Sequence, residues 1–301
     1  MHHSFGAHIN PAPAPRPRAR AQSIAEGTSG LAADLRDAIR RKELSVDYQP
    51  QFDLRTGRGC GVEALARWML STGVGIAPSV FIPLAERTGL IHQLGAWVLQ
   101  SACEAAKTLC VAASRATLCV NVSALQINER FGDVVERCLK QTGFPSQQLE
   151  LEITESALID DTETIITYLE RWKALGVRIA VDDFGTGYSS LGYLSRLPVD
   201  RLKLDQSLTH RITVDTRSAI VMRSILSLAA ELGLDVIAEG VETELQLQML
   251  TDMGCPQAQG YLLGRPMPLN VVQASMRKPW GDRRAPVLEG LCTAAGDCHG
   301  H

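Results

Sequence analysis

The chain has 301 residues, 45% hydrophobic and 21% charged, with a formal net charge of −3 at pH 7. These are values of an ordinary soluble globular protein, and the length suits one α/β barrel of about 250 residues or two smaller domains. They exclude the broad basic field that grips long nucleic acid, and no run of about 18 apolar residues is present to span a membrane. A small phosphorylated ligand stays open.

The first thirty residues, with Pro11, Pro13, Pro15 and Pro17 among alanines and arginines, lack a signal-peptide core and read as a flexible arm. The eight cysteines are scattered, several within apolar runs, which suits buried thiols in a reducing cytoplasm better than a disulfide framework. Cys292, Cys298, His299 and His301 cluster near the end, but their spacing matches no zinc motif.

Leu31 to Arg41 reads as an entry helix, and Leu44 to Phe52 alternates like a strand. A second strand, Cys60 to Leu65, follows too soon for a parallel crossover, so the two should form an antiparallel hairpin. Helical spacing of Ile91, Leu94, Val98, Ala102, Ala105 and Leu109 then leads to a strand over Thr117–Val122. A helix near Val134 to Leu139 precedes the strand Leu149–Thr154. The next helix should run from an N-cap at Asp161 to Leu175, with Gly176 as its stop. Arg178 to Asp183 is a short strand ending in two carboxylates, followed by the glycine loop Phe184 to Leu191. Strands over Arg201–Asp205, Leu234–Glu239 and Gln257–Leu262 follow, separated by helices, one of them opened by a Thr243/Gln246 capping box and stopped at Gly254. A final helix near Val271 to Met276 ends the periodic sequence. Repeated β-α units with eight strands predict a closed (β/α)8 barrel whose first strand runs antiparallel to the rest; an open doubly wound sheet is the alternative. The domain should span 31–276, between the arm at 1–30 and a flexible tail at 277–301.

Adjacent aspartates at one strand end repel each other, and a nearby cation relieves this, although Asp and Gly also build ordinary turns. The other strands sharpen the choice. Apolar residues on one face leave Glu152, Lys203, Asn121, Glu239 and Asp182 on the other, each at a strand end. The mouth inventory is Glu63, Asn121, Glu152, Glu155, Asp182, Asp183, Lys203, Glu239, Glu242 and Gln259. Carboxylates with an amide select hard cations, Mg2+ or Mn2+, over zinc. Only His92 and His210 lie within the domain, both on helices or their ends, which disfavours a histidine base. The acids exceed what one octahedral ion can use, and two ions about 3.5 to 4 Å apart suit in-line phosphodiester hydrolysis.

Read in order, Tyr48-Gln49-Pro50, Glu63-Ala64-Leu65-Ala66-Arg67-Trp68, Phe81 to Glu86, Asn121-Val122-Ser123-Ala124, Glu152-Ile153-Thr154-Glu155, Asp182 to Leu191, Leu202-Lys203-Leu204-Asp205, Glu239 to Thr243 and Gln259-Gly260-Tyr261 resemble the motifs of the EAL-domain family of cyclic di-GMP phosphodiesterases. The resemblance implies a TIM-like barrel that hydrolyses cyclic di-GMP to linear pGpG with two ions, Mg2+ or Mn2+. It implies Glu63, Asn121, Glu152 and Asp182 around the first ion and Asp182, Asp183 and Glu239 around the second. Lys203 and Glu239 are alternative bases for the attacking water; a lysine among cations has a lowered pKa. Glu63 is essential to turnover on this reading. Arg67 would grip a substrate phosphate, Gln49, Leu65, Asp205 and Gln259 would line the substrate cleft, and Glu155 and Glu242 would support the glycine loop. Met69 to Gly75 is more apolar than the family's usual loop. Family members often dimerise beside the active site, so a homodimer is an implied partner state. The competing function is a catalytically silent cyclic di-GMP receptor acting through a protein partner. The expected setting is a stand-alone, cytoplasmic catalytic domain with no transmembrane segment.

Overall fold

In the computed structural model the described residues are 30–41, 43–112, 116–158, 162–186, 194–277 and 279–280. The arm, the cysteine-histidine cluster at the chain end, Asp161 and most of the glycine loop, 187–193, lie outside them.

The hairpin comes first and sets the exception in the barrel. Strands β1 (Leu44–Asp53) and β2 (Gly59–Met69) pair antiparallel, with Gln49 opposite Glu63. Their turn is tied by Asp53, whose Oδ1 accepts from the Thr56 N–H and hydroxyl, each at 2.7 Å. A two-residue strand β3 (Gly75–Ile76) folds back on the end of β2, so the apolar Met69–Gly75 segment is a second hairpin at the sheet edge.

Helices α1 (30–41), α2 (Pro78–Thr88) and α3 (Ile91–Ala112) are followed by the parallel strands β4 (Thr117–Asn121) and β5 (Leu149–Thr154), with α4 (Glu129–Thr142) between them. Then come α5 (Thr162–Ala174), β6 (Arg178–Phe184), β7 (Arg201–Leu204), α6 (Gln206–Arg211), α7 (Thr216–Leu232) and β8 (Asp235–Ala238). The chain closes through α8 (Glu244–Asp252), β9 (Gln257–Ala258) and α9 (Leu269–Met276). Going round, the order is β1, β2, β4, β5, β6, β7, β8, β9 and back to β1. β1 is antiparallel to both neighbours and every other contact in the ring is parallel. This is the closed eight-stranded barrel with one reversed strand that the hairpin and the β-α rhythm predict.

Local chemistry accounts for several boundaries. Asn128 caps α4 by accepting from Phe131 N–H, which starts that helix well before Val134. The capping box at α8 is present, with Gln246 N–H donating to Thr243 Oγ1 and Thr243 N–H to Gln246 Oε1. β9 stops at Ala258 although the expected strand continues to Leu262. The cause is Gly260, which packs on the Val241 backbone so closely that a Cβ would lie 2.2 Å from Val241 N and O. The chain turns there, bonding Val241 N–H to Gln259 O and Leu262 N–H to Val241 O.

β5 and β7 are buried along both faces. The outward set, including Leu149, Leu151, Ile153, Leu202 and Leu204, lies in the continuous apolar core with α-helical residues such as Val135, Leu169 and Met222. The inward set of the same strands is polar, and it determines where chemistry can occur.

Candidate active site

At the C-terminal mouth the strand ends converge on one ammonium. Lys203 Nζ, from β7, lies 2.9 Å from Glu152 Oε2 of β5, 3.0 Å from Asp182 Oδ1 of β6 and 2.9 Å from Glu239 Oε1, just past β8. Glu63 of β2 is a fourth neighbour at 4.0 Å. Asn121, ending β4, donates through Nδ2 to Glu63 Oε1 at 2.7 Å, and Gln259 Nε2 donates to Glu63 Oε2 at 2.6 Å. Gln49 Oε1 accepts from the same Gln259 amide at 3.1 Å. Six strands and the turns after β8 and β9 thus aim polar groups at one point, because each strand end carries its polar residue on the inward face.

The two aspartates reach this point through a break in the ladder. The β6–β7 register shifts between Val181 and Phe184, and Asp183 adopts φ 55°, a left-handed conformation uncommon outside glycine. The bulge places consecutive carboxylates at the rim, where a regular strand would turn the second one away. Asp183 N–H donates to Asp182 Oδ1 at 3.0 Å.

One cation faces more negative charge than it can balance. Burial drives the Glu152 carboxyl well above its usual pKa, against the pull of Lys203, and Glu63, Asp182 and Glu239 raise it further. Glu239 is pushed up to about 8, by burial first and then by Asp182 and Glu63, despite the attraction of Lys203. Burial also leads the upward shift of Asp183, aided by Asp182 and Asp205. Burial would lower Lys203, but Asp182, Glu152, Glu239 and Glu63 outweigh it and hold the ammonium well above the ordinary lysine value. A lysine facing carboxylates thus shifts opposite to one facing cations.

The donor set fits hard divalent ions. It consists of carboxylate oxygens and one amide, and Glu152 Oε1 is buried without a hydrogen-bond partner. Deeper in the barrel, Cys119, Glu150 and Glu152 also bring ligand-type atoms within 4.8 Å of one another. Burial, with Glu150 and Glu152, holds the Cys119 thiol well above its ordinary pKa, and Glu150 is already bonded to two arginines. A neutral thiol and a neutralised carboxylate are poor ligands, so the upper group is the better ion site.

A cleft of about 270 Å³ opens over the cluster, lined by Gln49, Glu63, Asp182, Asp183, Lys203, Asp205, Glu239, Glu242 and Gln259 among others. Asp205 lies on its wall and also caps α6, accepting from Ser207 N–H. Leu65 and Arg67 line a separate, more apolar pocket of about 320 Å³, which Asn121 joins to the cluster. Arg67 is turned to Asp47, donating from Nε at 2.9 Å, and does not meet the carboxylate group. Glu155 is buried below the loop and accepts from Gly185 N–H at 3.1 Å. Glu242 is half exposed, with His210 Nε2 at 3.9 Å.

Beneath this layer lies another that the strand-end inventory omits. Arg201 Nη1 donates to Glu150 Oε1 at 2.9 Å and to Gln51 Oε1 at 3.3 Å, while Arg178 Nε reaches Glu150 Oε2 at 3.1 Å. Three of these residues stand two before or after a mouth residue, in Glu150/Glu152, Arg201/Lys203 and Gln49/Gln51, and Arg178 stands four before Asp182. Period two was the available signal, since residues two apart share a strand face.

The EAL domain family matches residues 32–266. The chain is 43% identical over 249 residues to the bifunctional diguanylate cyclase/cyclic di-GMP phosphodiesterase MucR of Pseudomonas aeruginosa, covering 82% of this chain and 36% of MucR. It is 42% identical over 260 residues to the cyclic di-GMP phosphodiesterase NbdA of the same organism, covering 86% of this chain and 33% of NbdA. It therefore spans about a third of these relatives. A solved structure of the MucR phosphodiesterase from P. aeruginosa in complex with c-di-GMP superposes with a TM-score of 0.77 at 42% identity, covering 81% of this chain and 99% of that one. With its barrel, its reversed first strand and the ordered motifs at its mouth, this chain belongs to the EAL domain family.

Proposed function

We propose that this chain is a metal-dependent phosphodiesterase that opens cyclic di-GMP to linear pGpG with two divalent ions, Mg2+ or Mn2+. The observation that carries the proposal is the convergence of Glu63, Glu152, Asp182 and Glu239 on the single cation Lys203, with one oxygen of Glu152 left unpartnered. MucR and NbdA, named as cyclic di-GMP phosphodiesterases, supply the substrate class.

Glu63, Asn121, Glu152 and Asp182 would hold one ion, and Asp182, Asp183 and Glu239 the other. When bound, such ions polarise phosphoryl oxygens and make water a competent nucleophile near neutral pH. The protein supplies placement and proton handling. Lys203 orients the attacking water through its ammonium hydrogens. Glu239 Oε1, 2.9 Å from Lys203 Nζ, can take the proton from that water directly; Lys203 could do so only after bound ions had driven off its own proton, which would leave Nζ a free amine. Gln49, Asp205 and Gln259 line the cleft for the dinucleotide. The apolar pocket beside it desolvates a base at Leu65, and Arg67 leaves Asp47 to meet a phosphate. Glu155 steadies the start of the glycine loop and Glu242 its surroundings. A homodimer and a cytoplasmic location complete the proposal; among the described residues no helix is long and apolar enough to cross a membrane.

The test is a hydrolysis assay with Mg2+ or Mn2+, read by chromatography, on wild type, Glu63→Ala, Lys203→Ala and Glu239→Ala. Wild type should yield pGpG and stop in EDTA, Glu63→Ala should be inactive, and the better base should show the larger loss, roughly 100-fold or more. Intact substrate under both ions, with tight binding that survives EDTA, would instead mark a silent receptor.

A further inference from the structure

Glu63 accepts on both oxygens, from Asn121 at Oε1 and from Gln259 at Oε2. The Gln259 bond is the last link of a chain that begins below the site. Arg201, paired with Glu150, donates from Nη1 to Gln51 Oε1 at 3.3 Å, and Gln51 Nε2 donates to Gln259 Oε1 at 2.9 Å. Gln259 Nε2 then donates to Glu63 Oε2 at 2.6 Å. All four side chains below Glu63, those of Glu150, Arg201, Gln51 and Gln259, are buried, with residue exposure of 4% or less.

The direction of this chain is fixed at both ends. A guanidinium only donates and an ionised carboxylate only accepts, so each amide between must turn its oxygen toward Arg201 and its nitrogen toward Glu63. The fold reserves room for the middle link. Gly61 lies opposite Gln51 in the β1–β2 ladder, and a Cβ there would stand 2.7 Å from Gln51 Oε1 and 3.0 Å from Thr117 O.

We propose that Gln51 and Arg201 are positioning residues for the reaction, setting the orientation of the Gln259 amide and, through it, holding the Glu63 carboxylate toward Asn121 and Lys203. The use made of Glu63 rests on the phosphodiesterase reading; the chain of bonds does not. If Gln259 turned over, its oxygen would face the Glu63 carboxylate and release it.

Gln51→Glu is nearly isosteric, keeps an acceptor for Arg201 and removes the Nε2 donor. The new carboxylate then faces Gln259 Oε1, acceptor against acceptor, and this is relieved when Gln259 turns its nitrogen toward it and its oxygen toward Gln49 and Glu63. Gln51→Met deletes both bonds without reversing the amide. A merely structural role makes Gln51→Met the worse variant, since Arg201 loses an acceptor; positioning makes Gln51→Glu the worse one. The measurements are Mn2+ affinity by calorimetry without nucleotide, kcat and KM with cyclic di-GMP, and the crystal structure of Gln51→Glu. Expected are loss of the Gln259 to Glu63 bond, a fall of about 10- to 100-fold in Mn2+ affinity and kcat with KM little changed, and a smaller fall in Gln51→Met. Retention of that bond, unaltered Mn2+ affinity, or Gln51→Met as the more damaging change overturns the proposal. Should Gln51→Glu not fold, Gln51→Met decides alone, and wild-type Mn2+ affinity in it overturns the proposal. If wild type hydrolyses nothing while the bond and Mn2+ affinity respond as described, the proposed function fails and the positioning role stands. Wild type that binds no Mn2+ overturns both.

Discussion

Two charged layers sit two residues apart along the same strands, and they are built to opposite rules. In the lower layer Glu150 is shared by Arg201 and the half-buried Arg178, and Arg178 also meets Asp235, so acids and bases balance. In the upper layer one lysine faces Glu63, Glu152, Asp182 and Glu239, with Asp183 beside them. A balanced buried group can serve structure alone. An unbalanced one is costly unless something else brings positive charge, so the imbalance separates a candidate ion site from a buried salt bridge in the same barrel.

The sharpest way to break this comparison is to remove the cation from each layer in turn. Arg201→Met leaves Glu150 with the half-buried Arg178 alone, and Lys203→Met leaves the upper acids with no cation. Each should cost about 3 to 5 kcal/mol by chemical denaturation in EDTA. Mn2+ should restore much of the loss in Lys203→Met, since an ion that binds only the folded state stabilises it, and little in Arg201→Met. Equal rescue of the two would erase the distinction between the layers.

Proton linkage offers a finer probe of the upper layer. Glu239 is raised from the usual 4.5 to about 8 in the folded protein, so its protonated form favours folding at low pH. That contribution is complete below about 4.5 and is lost as pH rises through about 8. The melting temperature of ion-free protein should therefore fall between pH 5 and pH 8, and Glu239→Gln should flatten the fall. An identical slope in that variant would show that other groups carry the dependence.

The smallest expected effect lies at the bulge. Asp183 holds a left-handed φ of 55°, which Gly would adopt without strain. Asp183→Gly should raise the stability of ion-free protein by up to about 1 to 2 kcal/mol while weakening Mn2+ binding. A variant less stable than wild type in EDTA would show that the carboxylate is held there for structural reasons.

The upper layer was legible because polar residues at the ends of apolar strands have few structural explanations, and eight strands in β-α rhythm supplied the barrel that gathers them. The lower layer was not, for a physical reason. Glu150 and Arg201 are charged and adjoin apolar residues, so each reads as the solvent face of a strand, whereas both are buried. Only their period-two relation to Glu152 and Lys203 places them inside. Arg67 illustrates another limit. Its position in the chain was plain, but its bond to Asp47 depends on a rotamer that spacing does not encode. The early end of β9 depends on Gly260 meeting Val241 across the barrel rim, a long-range approach that the local sequence does not encode.

The central claim is that the upper acids hold divalent ions and the lower ones do not, and anomalous diffraction from Mn2+-soaked crystals addresses it most directly. The account predicts two peaks, one among Glu63, Asn121, Glu152 and Asp182 and one among Asp182, Asp183 and Glu239. No peak at the mouth, or a peak at Cys119, Glu150 and Glu152 instead, would contradict it.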